Sequence, residues 1–263
     1  MTKLTLVGVM LVGGACTSLG PMPAMTGVAP LPAGRTALEV QVATMPGHYL
    51  SSGVTDDPRG TSIPQLAALF EPDKVIGVPG LFLAGRVAGT DESGVIAEPM
   101  LGYRLAFDDR FAAGALLYGT HASHEDQGAS YSATRVGLEL GLDVRVTPRS
   151  KWAELHATVG AAATGLSADG EYCLDGQGRF GVDCPDMPTA DDLVSVDASG
   201  IYPTGQLGLM LDVARHLDSA FHGARVGLVG AVGTMPTAVG GRQGSAEPFA
   251  SLGLSLTVGM GSR

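Results

Sequence analysis

Apolar and polar residues alternate with a period of two along much of the chain. In the stretch RVGLELGLDVRV, from Arg135 to Val146, six aliphatic residues alternate with arginine, glycine, glutamate and aspartate. Successive side chains of a β-strand point to opposite faces, so the pattern predicts a strand with one apolar and one charged face. If the apolar face points inward, the fold is a soluble sandwich; if it points outward, the fold is a barrel in a membrane.

The same alternation recurs and predicts about ten strands. Their approximate ranges are 36–46, 62–70, 80–89, 95–107, 111–121, 131–147, 151–164, 205–215, 224–234 and 248–260. The segment 62–70 is also compatible with a helix, and without it and 36–46 the count is eight. Many of these strands exceed the five or six residues usual in soluble sheets and match the length that a tilted membrane strand needs.

The connections alternate between two kinds. The predicted outer connections are 47–61, 90–94, 122–130, 167–204 and 235–247, and all but 90–94 are long. The short connections include 108–110, 147–150 and 216–223. The segment 167–204 carries eight acidic residues and one arginine. Near the short turns lie two lysines and five aromatic residues, namely Lys74, Lys151, Phe70, Phe107, Phe111, Trp152 and Phe221. Long outer loops, short periplasmic turns and an aromatic girdle are typical of outer-membrane barrels.

The polar faces of the strands are nearly neutral in charge. They carry Glu39, Arg86, Glu98, Arg104, Arg135, Glu139, Asp143, Arg145, Glu154, Asp212 and Arg225. Charges that share a narrow lumen must pair, because an unpaired charge away from bulk water is costly. Glycine and alanine interleave these residues and leave room for long side chains. We therefore predict an ion network inside the barrel and a plugged or very narrow lumen.

Composition restricts the remaining classes of protein. The formal net charge of −10 argues against nucleic-acid binding, which rewards clustered lysine and arginine. No apolar run after the N-terminus is long enough for a transmembrane helix. Residues 1–15 resemble a signal peptide, and the Gly-Ala-Cys that ends at Cys16 resembles the lipobox of bacterial lipoproteins, which implies lipidation of Cys16. Ordinary signal cleavage is the alternative. Residues 16–35, rich in Pro and Gly, are predicted to be a tether.

Candidate chemistry is sparse. Cys173 and Cys184 flank a glycine-rich acidic segment, and this spacing favours a disulfide in an oxidising compartment over a metal site. A predicted outer loop holds His121, His124, Glu125 and Asp126, which we interpret as a solvated polar loop. His156 beside Glu154 is interpreted as a paired lumen histidine. We predict no catalytic residue, no metal and no cofactor.

Taken together, residues 36–263 resemble the small outer-membrane β-barrel proteins of Gram-negative bacteria. The resemblance is architectural and rests on alternation and loop parity. It implies an all-β, antiparallel, up-and-down transmembrane barrel in the outer membrane, with membrane lipids as partners. It also implies a non-enzymatic scaffold or surface-interaction role, with envelope proteins as candidate partners through the outer loops or the periplasmic turns. The alternatives are a lipid-anchored soluble β-domain and a rim-active barrel enzyme, either a protease or a lipid A-modifying enzyme.

Overall fold

The computed structural model describes residues 36–45, 61–70, 77–89, 95–108, 110–126, 129–150, 152–173, 193–213, 221–236 and 246–260. Within them lie ten strands: β1 Thr36–Met45, β2 Thr61–Phe70, β3 Leu81–Gly89, β4 Val95–Ala106, β5 Phe111–Asp126, β6 Ala129–Arg145, β7 Ala153–Cys173, β8 Leu193–Val213, β9 Phe221–Pro236 and β10 Ala246–Met260. In this part of the chain, no helix is long and apolar enough to cross a membrane.

The strands form a closed antiparallel barrel. Each strand pairs with the next along the chain, and β1 pairs with β10 to close the ring. The predicted ten-stranded up-and-down barrel is therefore confirmed. The segment that was also compatible with a helix is strand β2, which pairs with both β1 and β3. We call the end of the barrel with the β4–β5, β6–β7 and β8–β9 connections the turn end, and the opposite end the loop end.

The exposure of β6 decides which face looks outward. Val136, Leu138, Leu140 and Leu142 are between 47% and 55% exposed, whereas Glu139 and Asp143 are at most 3% exposed. Strand β6 pairs on both sides, so this exposure does not come from a free sheet edge. The charged face lies inside the barrel and the apolar face outside, which confirms the membrane-barrel interpretation of the alternation.

Strands β5 to β8 extend further toward the loop end than predicted. Strand β5 runs to Asp126 and β6 begins at Ala129, so the predicted long connection 122–130 is wrong. Strands β7 and β8 likewise extend into the predicted connection 167–204. The physical reason is that the outer face becomes polar there: Ser132, Thr134, Ser167 and Asp169 are exposed on it. In the register, Ala122, Ala133, Ala168 and Ala198 are paired across the four strands.

The barrel wall has unequal height. Strand β8 pairs with β9 only from Thr204 onward, and β5 pairs with β4 only up to Tyr118. Beyond these points β5 to β8 continue as a four-stranded sheet, and within the described residues its backbone ladders join only these four strands. We call this sheet, formed by residues 119–126, 129–136, 165–173 and 193–203, the tall wall. Beyond the apolar band of the barrel, its outer face exposes the polar residues Ser132, Thr134, Ser167 and Asp169.

Candidate functional site

Of the eleven charged residues predicted on the inner face, the structure describes the side chains of ten, and all ten are buried inside the barrel: Arg86, Glu98, Arg104, Arg135, Glu139, Asp143, Arg145, Glu154, Asp212 and Arg225, each between 1% and 8% exposed. Five are carboxylates and five are guanidiniums, so their formal charges cancel. The side chain of Glu39 lies outside the described residues. Its backbone position is opposite Ala67 and Thr257, which are both buried.

Glu98 joins two arginines inside the barrel. Arg86 of β3 lies directly opposite Glu98 of β4 in the register and donates to Oε2. Arg135 donates to Oε1 of the same carboxylate from β6, which is separated from β4 by β5. The guanidinium of Arg86 also lies 5.8 Å from the centre of the Tyr118 ring on β5, and the hydroxyl of Tyr118 lies 2.7 Å from Oγ1 of Thr164 on β7. Side chains from five consecutive strands therefore meet across the lumen.

A second cluster lies at the turn end, where β6 to β9 contribute Asp143, Arg145, Glu154, His156, Asp212 and Arg225. Arg225 binds Asp212 with two nitrogens, one of them Nη2 at 2.8 Å from Oδ2. Its Nη1 also lies 3.5 Å from Oδ2 of Asp143. Bidentate pairing fixes both charged groups in orientation. Arg225 therefore connects the carboxylates of β6 and β8 across β7.

His156 sits among the carboxylates of this turn-end cluster. Its Nδ1 lies 2.7 Å from Oδ1 of Asp143, and its Nε2 lies 3.6 Å from Asp212 and 3.8 Å from Glu154. Glu154 also accepts a hydrogen bond from the backbone N–H of Ser150 at 3.0 Å, and Nη1 of Arg145 lies 3.5 Å from it. The histidine is 2% exposed, so the surrounding side chains separate it from bulk solvent.

Sequence reasoning missed an apolar cluster inside the lumen. Ala67, Leu69, Phe82, Met100, Leu116 and Tyr118 pack together on the inner face of β2 to β5. The guanidinium of Arg104 lies 4.3 Å from the centre of the Phe82 ring, a cation–π distance that links the charged and apolar parts. The alternation along each strand could have predicted this cluster, because Phe82 lies on the same face of β3 as Arg86, and Met100 lies on the same face of β4 as Glu98.

Two glycines accommodate aromatic rings inside the barrel. Gly102 is opposite Phe82 in the register and Gly137 is opposite Tyr118. A Cβ atom at either glycine would overlap the facing ring. These glycines therefore allow a large side chain to lie flat against the neighbouring strand, which explains why glycine interrupts the charged face.

The predicted polar cluster around His121 belongs to strand β5 and its end. His121 is exposed on the tall wall, with Nδ1 at 2.8 Å from Oγ1 of Thr134. The side chains of His124, Glu125 and Asp126 lie outside the described residues. Among the residues that the structure describes, no group of three or more His, Cys, Asp or Glu is arranged to hold a metal ion.

Other predictions fall outside what the structure describes. Cys16, the segment 1–15 and the tether 16–35 precede the described residues. Cys173 ends β7, but its side chain and the whole of Cys184 are outside the description, so the disulfide stays a prediction. Of the predicted girdle, Phe107 and Trp152 are 65% and 74% exposed at the turn end, with Phe111 and Phe70 nearby at 48% and 46%.

No protein-family model matches the chain, and no curated protein matches its sequence. Several solved structures are similar in fold at low sequence identity. Neisserial surface protein A shares 8% identity at a TM-score of 0.33, over 85% of this chain and 96% of its own. Ail, the attachment invasion locus protein of Yersinia pestis, shares 11% identity at a TM-score of 0.32, over 86% of this chain and 97% of its own. The outer membrane protease OmpT from Escherichia coli shares 8% identity at a TM-score of 0.33, over 88% of this chain and 98% of its own.

Proposed function

We propose that the chain is a non-enzymatic outer-membrane barrel protein with a lumen closed by side chains and with a scaffold or surface-interaction role at the loop end. The observation that carries the proposal is the partition of the barrel into an apolar outer face and a buried, charge-balanced inner face. A water-soluble barrel has the reverse arrangement, with its apolar side chains inside, because removing apolar surface from water is favourable. In lipid the observed arrangement satisfies both faces.

The height of the apolar band supports a membrane-spanning position. Along β6 and the residue that follows it, the apolar outer face runs from Val146 at the turn end to Val136, and the next outer residue, Thr134, is polar. Ten steps of about 3.3 Å, tilted by about 40° from the barrel axis, give a band about 25 Å high. This equals the apolar band of outer-membrane barrels, and the exposed aromatic residues at the turn end fit one of its two girdles.

The side chains of the lumen support a closed interior. The Glu98 cluster spans the barrel from β3 to β7, and the turn-end cluster fills the space between β6 and β9. Opening a water-filled path requires several of these ion pairs to separate in a low-dielectric surrounding, which costs several kcal/mol per ion. We therefore expect little or no ion conductance through this barrel.

A non-enzymatic role fits the placement of the ionisable groups. Of the two histidines whose side chains the structure describes, His156 is 2% exposed and has its Nδ1 against Asp143. The exposed His121 is paired with a threonine hydroxyl. The partners we propose are membrane lipids at the apolar band and envelope or external proteins at the loop end, where the connection 174–192 adds further acidic residues.

The experiment combines membrane extraction with conductance. Membranes that contain the protein with Cys16→Ser are washed with alkaline carbonate, and the retained protein is run on a gel with and without boiling. We expect retention and a heat-dependent shift in migration, followed by negligible conductance of the purified barrel in planar bilayers. Release by carbonate supports a soluble β-domain and contradicts the barrel, whereas stable single-channel steps contradict the closed lumen.

A further inference from the structure

The turn-end cluster contains one more carboxylate than guanidinium. Asp143, Glu154 and Asp212 supply three negative charges, and Arg145 and Arg225 supply two positive charges. These side chains come from four adjacent strands, β6 to β9, and each is at most 8% exposed, so bulk water does not compensate for the difference. The eleven charged residues predicted on the inner face show the same excess, with six acids and five bases. One further positive charge would balance the cluster.

His156 lies in the middle of this cluster. Its Nδ1 lies 2.7 Å from Oδ1 of Asp143 on β6. An ionised carboxylate only accepts hydrogen bonds, so Nδ1 carries the hydrogen of this contact. On the other side of the ring, Nε2 lies 3.6 Å from Oδ2 of Asp212 on β8 and 3.8 Å from Oε2 of Glu154 on β7. This nitrogen is buried and has no hydrogen-bond partner among the described residues. Both ring nitrogens therefore face carboxylate oxygens.

The neutral and the protonated imidazole fit these surroundings differently. A neutral ring with its hydrogen on Nδ1 directs the lone pair of Nε2 toward two carboxylates, which is repulsive. A protonated ring has a donor on each nitrogen, one for Asp143 and one for the pair formed by Glu154 and Asp212. The other oxygen of Glu154 already faces Nη1 of Arg145 and the N–H of Ser150, so Oε2 is the oxygen left for the histidine. The geometry therefore favours the imidazolium.

We propose that the turn-end cluster is a proton-binding site, in which His156 holds the proton and the proton ties β6, β7 and β8 together. The inference rests on the closed lumen of the proposed function. Arg225 of β9 binds Asp212 and approaches Asp143, so the same carboxylates are already held from the next strand, and the imidazolium joins them across β7. Release of the proton leaves three carboxylates with two guanidiniums. The barrel is therefore less stable at alkaline pH than at neutral pH.

The first measurement is the protonation of the His156 ring in the full chain folded in detergent micelles. A chelator is present, so that a metal ion cannot take the place of the proton. In a variant whose five other histidines are replaced by glutamine, ¹⁵N-labelled His156 supplies the only ring signals in the NMR spectrum. We expect both ring nitrogens to show the imidazolium shift at about pH 7.5, where an ordinary imidazole is mostly neutral. A neutral tautomer in the folded barrel at this pH overturns the inference.

The second measurement is the pH dependence of unfolding by urea in the same micelles. When the folded barrel holds a proton that the unfolded chain has released, the folding equilibrium constant falls by up to about tenfold per pH unit as the pH rises. We expect this fall between about pH 7 and about pH 9 in the unaltered chain and not in His156→Gln. His121→Gln replaces an exposed histidine and should keep the fall. An equal pH dependence with and without His156 overturns the inference.

The proton site and the proposed function can fail separately in these experiments. Heat-dependent migration of the same samples reports the barrel, and conductance in planar bilayers reports the closed lumen. The NMR measurement keeps His156 in place, so it decides the inference even if His156→Gln does not fold.

Discussion

Replacing Glu98 by glutamine tests whether the charged face is held inside by ion pairs. The substitution preserves the shape of the side chain but removes the negative charge that Arg86 and Arg135 share. The side chains of these arginines are 1% and 4% exposed, so neither can turn to bulk water without a rearrangement of the lumen. Removing one partner of a buried ion pair costs about 3–5 kcal/mol. We therefore expect Glu98→Gln to lower the free energy of unfolding by about 3 kcal/mol or more.

The assay is reversible urea unfolding of the barrel in detergent micelles, followed by heat-dependent migration and tryptophan fluorescence. With a urea dependence of about 1–3 kcal/mol per M, the unfolding midpoint should fall by roughly 1–3 M. Asp169→Asn is the matched control, because it removes a carboxylate that is exposed on β7, and its effect should stay within about 0.5 kcal/mol. Equal midpoints for Glu98→Gln and Asp169→Asn would refute the reasoning, because they would show that Glu98 is as solvated as a surface acid.

Three further predictions address the faces and the packing of the strands. Gly137→Ala should lower the free energy of unfolding by about 1–3 kcal/mol, because the new methyl group overlaps the facing tyrosine ring. Gly165→Ala should be nearly neutral in the same urea assay, because the nearest non-adjacent atom lies 3.5 Å from the added methyl group. Leu138→Arg should lower the free energy of unfolding in lipid vesicles by about 2–4 kcal/mol, because it places a charge in the middle of the apolar band. Ser132→Arg lies beyond the band and should lower the same free energy by less than about 1 kcal/mol. Insertion of one alanine after Leu140 should abolish assembly, judged by loss of heat-dependent migration, because it moves the rest of β6 to the opposite face.

The strands within the apolar band could be predicted from the sequence because one physical rule governs them. Lipid outside and a narrow lumen inside impose strict alternation, and β6 shows it without interruption from Val136 to Arg145. The same rule placed Arg86, Glu98 and Asp212 on the inner face. The extension of β5 to β8 beyond the band could not be found in this way, because the outer face becomes polar there and no longer shows the apolar row that identifies the strands.

The partners inside the lumen also could not be read from the sequence. Register aligns Arg86 with Glu98 on neighbouring strands, but Arg135 reaches Glu98 from two strands away, and Arg225 reaches Asp143 from β9 to β6. Such contacts depend on barrel curvature, which brings non-adjacent strands within reach of long side chains. Two aromatic residues of the lumen, Phe82 and Tyr118, each lie opposite a glycine on the neighbouring strand, and this pairing is visible only once the register is known.

The most direct test of the account is the environment of each residue along β6 in a lipid bilayer. Single cysteines from Arg135 to Val146, introduced after replacement of the native cysteines, carry a spin label whose collisions with oxygen and with a water-soluble relaxer are measured. The account predicts high oxygen accessibility at positions 136, 138, 140 and 142 and low accessibility to both reagents at 139, 141 and 143. The opposite phase, or no alternation with a period of two, would contradict the placement of the apolar face in lipid.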